Sequence, residues 1–220
     1  MRDELILGVI STRAEENYSS RIFRHLEFLL SDLTLKLGEF DLFAVSAGPG
    51  SFTGLRVGLT AAKGWAEVYK KPVAGVSALE AVAVQCHAAT PVLVPALDAR
   101  RGQIYFGTYR RNGKDLSLEG EEFVVTPEEF TEKLGEAAGA RGGDGYAIVT
   151  PDASVVEVVS QLKAGFPAGH AGLEIVSSVL APSIGQIAYG RALRGKLSDA
   201  LTLDANYVRR TDAEMRWKDG

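Results

Sequence analysis

"SAGPGSFTGLRVGLTAAKG", residues 46–64, places three glycines within seven positions, between the apolar run "DLFAV" (41–45) and a stretch rich in alanine and glycine. A short apolar run that enters a glycine loop and leaves as an amphipathic segment reads as strand, turn and helix, the building block of an α/β fold. Glycine lets the backbone take positive φ and come close to a ligand. The free N–H groups of a helix's first turn also attract anions. Gly48, Gly50, Ser51, Thr53 and Gly54 are therefore candidate phosphate-binding residues. The spacing fits neither common cradle. A P-loop needs Gly-Lys-Ser/Thr, and here Gly54 is followed by Leu55 and Arg56. A dinucleotide fingerprint needs Gly-x-Gly-x-x-Gly, and here the last gap is one residue longer. The competing reading, a tight turn whose small residues allow close packing, is the one the spacing favours.

Downstream, Gly54, Gly58, Ala61, Ala62 and Trp65 fall at three- and four-residue steps. Small residues let a second helix approach closely, and aromatic anchors are frequent at protein interfaces. Leu55, Leu59, Ala66 and Val68 are expected to face the chain's own sheet, leaving Gly58, Ala61, Ala62 and Trp65 for a partner. Composition alone leaves open the alternative, that the stripe packs on that sheet.

Outward from this stretch, "LILGVIS" (5–11) reads as a strand. Residues 18–38 read as a helix with Ile22, Leu26, Leu29 or Leu30, and Leu33 on one face. "KPVAGVS" (71–77) is a strand and "ALEAVAVQCHA" (78–88) a helix. From Pro91 the pattern changes. Strands at 91–98 and 103–110 are joined by "ARRG", an Asn-Gly turn follows at 112–113, and a third strand runs to Val125. "TPEEF" supplies a Thr cap, Pro at the first helical position and Glu129 three residues on. A strand at 146–150, a helix at about 154–163, a strand at 173–178 and a helix at 183–194 precede a polar tail. The division expected is a first lobe over 1–90, a second over 91–205 and a tail over 206–220. The second half reads strand-strand-strand-helix-strand-helix-strand-helix. The first half matches it if its opening two strands are lacking. Duplicated units of this kind build two-lobed α/β folds around a cleft, as in actin and the sugar kinases.

Composition narrows the functions. Of 220 residues 46% are hydrophobic, enough for a sizeable core, and no apolar run approaches the ~20 residues that span a bilayer. The single cysteine, Cys86, cannot pair internally and fits a reducing compartment. With no export leader in view, a soluble cytoplasmic protein is expected. A net charge of −4 argues against a surface devoted to nucleic acid. "GVSALE" (75–80) departs from a nucleophile elbow at Leu79. His25, His87 and His170 lack metal-ligand spacing. Adjacent Cys86 and His87 diverge by about 100° on a helix. Asp98, Arg100 and Arg101 read as a charged hairpin tip. No catalytic and no metal-binding residues are expected.

Four stretches, "AGPGSFTGLRVGLTAAKGWA", "PVAGVSALEAVA", "LDARRGQIYFGTY" and "NYVRR", together resemble the TsaB family, also called YeaZ. The resemblance implies an actin-like (ASKHA, ribonuclease H-like) two-lobed α/β fold, here with a first lobe lacking its first two strands. It implies a part in making the threonylcarbamoyl group on the adenosine beside the anticodon of tRNAs that read codons beginning with A. In that family the protein is not the transferase. It pairs with the catalytic paralogue TsaD through helices of its first lobe, the pair recruits the ATPase TsaE, and homodimers use much the same surface. By resemblance the partner interface comprises Ile22, Leu26, Leu29, Gly58, Ala61, Ala62 and Trp65. Contact with tRNA is indirect, no membrane is involved, and no cofactor is expected beyond weak ATP or ADP binding in the complex. Family members usually open with a strand ending Asp-Thr-Ser and a second strand turning back from it. "MRDELILGVIS" corresponds by this resemblance to the third strand, so a start assigned downstream of the true one or a truncated sequence is expected, with 5–11 either sliding into the gap or left as an unpaired edge. The rival readings are an actin-like ATP-binding kinase or ATPase with a degraded first lobe, and a peptidase. The second lacks both His-Glu-x-x-His and a triad.

Overall fold

The computed structural model describes residues 1–12, 18–113, 115–140, 145–161, 170–197, 203–206 and 208. They form two compact units. The first combines Met1–Ala78 with Val179–Asn206, and the second is built from Leu79–Ser178. The boundary thus falls earlier than the expected 90, and residues expected in the second lobe return to the first. Packing explains the return, since Leu203 joins a core with Phe43, Leu59, Ala62, Ala66 and Val73.

In the first unit, strand β1 (Phe43–Gly48) runs parallel to β2 (Val73–Ser77), with register Phe43↔Val73 through Ser46↔Val76. Helix α2 (Phe52–Tyr69) joins them and α1 (Tyr18–Asp32) precedes them, while the short α3 (Ala78–Ala83) belongs, apart from Ala78, to the second unit. Leu55, Leu59, Ala62 and Ala66 recur along α2 at helical steps and are all buried, the inward stripe of an amphipathic helix. Residues 5–11 do not form the expected strand. Only an isolated bridge, Arg2 to Leu5, is present, and Leu5, Ile6 and Val9 are exposed. A strand needs a ladder partner, and among the described residues none lies beside this segment. The helix expected over 18–38 stops at Asp32, where Thr34 takes φ +54° and a 3-10 turn (Leu37–Glu39) follows.

The second unit contains β3 (Val92–Arg100), β4 (Gln103–Phe106), β5 (Tyr109–Asn112), β6 (Asp115–Leu118), β7 (Phe123–Val125), α4 (Pro127–Ala140), β8 (Tyr146–Thr150), α5 (Ala153–Gln161) and β9 (His170–Ile175). Strand β3 pairs antiparallel with β4 and β5 and parallel with β8, which pairs parallel with β9. Strands β6 and β7, the two halves of the expected third strand, add to β5 and β4. Positions 92–96 of β3 are all buried, as a strand covered on both faces requires. Phe130, fully buried, meets Phe106 edge-on at 4.9 Å between centroids, and Phe106 stacks on Phe123 at 5.3 Å. The cap read from "TPEEF" is formed. The Thr126 amide donates to Glu129 Oε2 at 2.8 Å and the Glu129 amide to Thr126 Oγ1 at 3.3 Å. Last in sequence, α6 (Ala181–Leu193) belongs to the first unit, where Arg191 donates to the Gly75 carbonyl at 2.8 Å.

Candidate functional site

The glycine loop is committed to packing. Gly48 takes φ +109°, and a Cβ there would lie 2.9 Å from the Asn206 carbonyl oxygen and 3.1 Å from Leu55 Cδ1. The Asn206 amide donates to the Ala47 carbonyl at 2.7 Å. Gly48 therefore exists to admit residues 203–206 against the end of β1. Gly75 does the same on β2, where a Cβ would come within 2.3 Å of Leu203. Ser51 caps α2, its Oγ accepting from the Gly54 amide at 3.3 Å. Gly50, Ser51 and Thr53 are exposed and Gly54 half-buried. Of the five candidate phosphate residues, Gly48 is occupied by packing and Ser51 and Gly54 by the helix cap, and Gly50 and Thr53 offer only the general anion affinity of a helix N-terminus.

The small-residue stripe of α2 points differently from expectation. Ala61 and Ala62 are buried at 8% and 3% exposure, and Gly58 sits against Val45, 3.4 Å from where a Cβ would be. Trp65 packs on Phe43 at 6.0 Å between centroids. Ala61 and Ala62 are thus turned into their own unit, while Gly58 and Trp65 are half-buried with neighbours there. Val68, expected inward, is 72% exposed. The stripe that faces outward is Thr53, Thr60, Gly64 and Val68, with half-buried Val57 between them, again at three- and four-residue steps, and with nothing within 4 Å of a Cβ at Gly64. On α1 the inversion repeats. Ile22, Leu26 and Leu29 line a cavity inside the first unit, whereas Phe23 and Phe28 are 55% and 66% exposed. Phe23 meets Trp65 edge-on at 6.3 Å, joining the two helices. Sequence periodicity finds two faces on α2 but not which one the sheet takes; bulk at Leu55 and Leu59 fixes one face, and the alanines follow it.

That cavity, of about 760 Å³, was missed by every motif. It runs along β1, lined by Ala44 and Ser46 of that strand, by the N-terminal segment Ile6–Ile10, by Leu26 of α1 and Trp65 of α2, and by Ile184 of α6.

In the second unit Glu174 of β9 gathers the loop after α3. Its carboxylate accepts from the His87 amide at 2.9 Å, the Ala88 amide at 3.0 Å and the Cys86 thiol at 3.1 Å, and pairs with His87 Nδ1 at 3.0 Å. Burial opposes its charge, but these donors outweigh burial and hold the carboxyl at about 2. Burial, then the bond to Glu174, pushes the Cys86 thiol up to about 11. A thiol held neutral is no nucleophile, so this cluster is a structural clamp. Asp98 accepts from the Arg100 amide at 2.7 Å, and its own amide donates to Asp152 at 2.8 Å, tying the ends of β3 and β8. Among the described residues no group of three His, Cys, Asp or Glu side chains could hold a metal ion, and no helix is long and apolar enough to cross a membrane. Arg209, Arg210 and the polar tail after Val208 lie outside the described residues.

The paired strand-helix-strand units define a mixed α/β fold of the actin-like class. The solved structure described as YeaZ from Pseudomonas aeruginosa superimposes with a TM-score of 0.67 at 23% identity, covering 86% of this chain and 84% of that one. The model of the family described as TsaD, tRNA N6-adenosine threonylcarbamoyltransferase, matches residues 4–161. The proteins named tRNA threonylcarbamoyladenosine biosynthesis protein TsaB are 34% identical in Bacillus subtilis (strain 168) over 114 residues, 51% of this chain and 50% of that protein. In Haemophilus influenzae the figures are 33% over 150 residues, 63% of each chain, and in Escherichia coli (strain K12) 33% over 126 residues, 56% and 54%. The chain thus spans about half to under two thirds of the length of these curated relatives. It belongs to this family, on its TsaB (YeaZ) branch.

Proposed function

We propose that the chain is a non-catalytic subunit in the synthesis of tRNA N6-threonylcarbamoyladenosine. Its docking face is the outward side of α1 and α2, its partner a TsaD-type paralogue, and the pair recruits a TsaE-type ATPase. In the absence of the paralogue the same face pairs two copies. Contact with tRNA is left to the partner.

The carrying observation is the outward stripe Thr53–Val57–Thr60–Gly64–Val68 beside exposed Phe23 and Phe28. A narrow path of small side chains lets a foreign helix approach closely, and the flanking phenyl rings supply the buried anchors that carry interface energy. The names of the relatives supply the pathway. The kinase reading finds less support, because Gly48 is spent on Asn206 and Ser51 on its own helix cap.

Co-purification with a TsaD-type paralogue tests this reading through Gly64→Arg. A side chain at Gly64 meets nothing in the isolated chain, so the fold survives. The arginine projects into the docking path, and capture should fall at least about tenfold, the cost of burying an unpaired charge. Undiminished capture by the folded variant would overturn the assignment of this face.

A further inference from the structure

Helix α1 exposes two phenyl rings, Phe23 at 55% and Phe28 at 66%, and the structure holds only the first. Phe23 meets Trp65 of α2 edge-on at 88°, Trp65 lies against Phe43, and Phe43 against Tyr69, with centroids 6.3, 6.0 and 6.5 Å apart. Phe43 is 8% exposed, so this run of rings ties an exposed phenyl to the core of the first unit. Edge-on pairs are favourable beyond the area they bury, which keeps Phe23 in one orientation. Among the described residues Phe28 has no ring neighbour. Five residues apart on a helix, the two rings point about 140° from one another. Ile22, Leu26 and Leu29 turn into the unit, so Phe23 lies on the flank of α1 that meets α2, and Phe28 on the opposite flank.

The held ring sits at the bottom of a groove. Gly64 and Trp65, adjacent on α2, point about 100° apart. The stripe of Thr53, Val57, Thr60, Gly64 and Val68 therefore rises as one wall beside the Phe23–Trp65 contact. None of these side chains is charged. The exposed charges of the two helices, Arg24 and Glu27 on α1 and Arg56 and Glu67 on α2, fall to its sides. An uncharged line with charges along its margins is the anatomy of an interface core and rim, and a groove between two helices takes the ridge of a third. A ring already fixed loses little freedom when it is covered, whereas Phe28 would have to be ordered by the partner. We propose that Phe23, not Phe28, is the anchor of the docking face. It floors a groove between α1 and α2 that receives one helix of the TsaD-type paralogue, with an aliphatic stripe turned toward the ring. This rests on the docking reading above, and names the anchor and the chemistry of the partner surface that meets it.

The test is affinity for the purified paralogue, measured by titration calorimetry on variants of the whole chain that melt as the parent does. Phe23→Ala should weaken binding at least about tenfold and Phe28→Ala less than about threefold. Where losing the Trp65 contact unfolds α1, a milder pair decides. Phe23→Leu, apolar but without the ring, should still cost about threefold, and Phe28→Leu nothing measurable. Equal losses at the two positions, or a larger loss at Phe28, overturn the proposal. So does a Phe23→Ala chain that pairs less well with its own copies but binds the paralogue as before. Gly64→Arg keeps the two readings apart. If it abolishes binding while the rings prove equivalent, the groove assignment falls and docking on α2 stands. If binding by that variant is undiminished, the docking face itself falls and this proposal with it.

Discussion

Strands β8 and β1 share one local grammar, each an apolar run followed by a helix and a parallel neighbour, yet they end in different states. Every residue of β8 is buried. In β1 only Phe43 and Gly48 are, and Ala44 is exposed. The difference is not in the strands. It lies in what stands beside them, since β8 has β3 on its outer edge and β1 has a cavity. A strand's burial is a property of its layer, and the second unit possesses a closed layer where the first possesses an open one.

Substitutions can break or sharpen that contrast. Phe130→Ala removes the side chain at the centre of the closed core, and should cost about 3–5 kcal/mol in denaturant unfolding. A loss under about 1 kcal/mol would mean that the second unit is no better packed than the first. Gly48→Ala forces a Cβ into positive φ and against the Asn206 carbonyl. A destabilisation of about 1–3 kcal/mol is expected, with hydrogen exchange quickening first in β1 and at 203–206. A neutral result would remove the close approach as the reason for that glycine.

The Glu174 clamp gives the second unit a pH signature. Its folded carboxyl, at about 2, lies below the ordinary 4.5. The stabilisation is therefore complete above about pH 4.5 and is lost as pH falls toward 2. Glu174→Gln should cost about 1–2 kcal/mol at neutral pH and flatten the acid limb of the stability curve. An unchanged limb would show that the carboxylate is not what holds residues 86–88. The smallest effect belongs to the cavity of the first unit. Leu26→Ala, lining an open cavity, should cost less than about 1 kcal/mol, and a loss comparable to that of Phe130 would mean the cavity is closed in solution.

Much of this was legible in sequence because it rests on local chemistry. The Thr126–Glu129 capping box, the strands that open at 91 and 103 and the strand-helix-strand around Gly48 follow from residue type and spacing. What was not legible depended on neighbours distant in sequence. Periodicity gave α2 two faces, and only the position of β1 decides that Ala62 goes inward and Gly64 outward. Residues 5–11 have the composition of a strand but no ladder to join. Gly48 looked like a phosphate residue until Asn206, more than 150 positions away, supplied the reason for it. The cavity itself has no motif, because it is a shape between elements.

The most direct test of the docking account is hydrogen exchange on the chain with and without a purified TsaD-type paralogue. The account predicts slowed exchange along residues 52–68 and 21–30, with β3, β8 and β9 unchanged. A complex that forms while those two helices exchange as freely as before, its protection confined to the second unit, would contradict it.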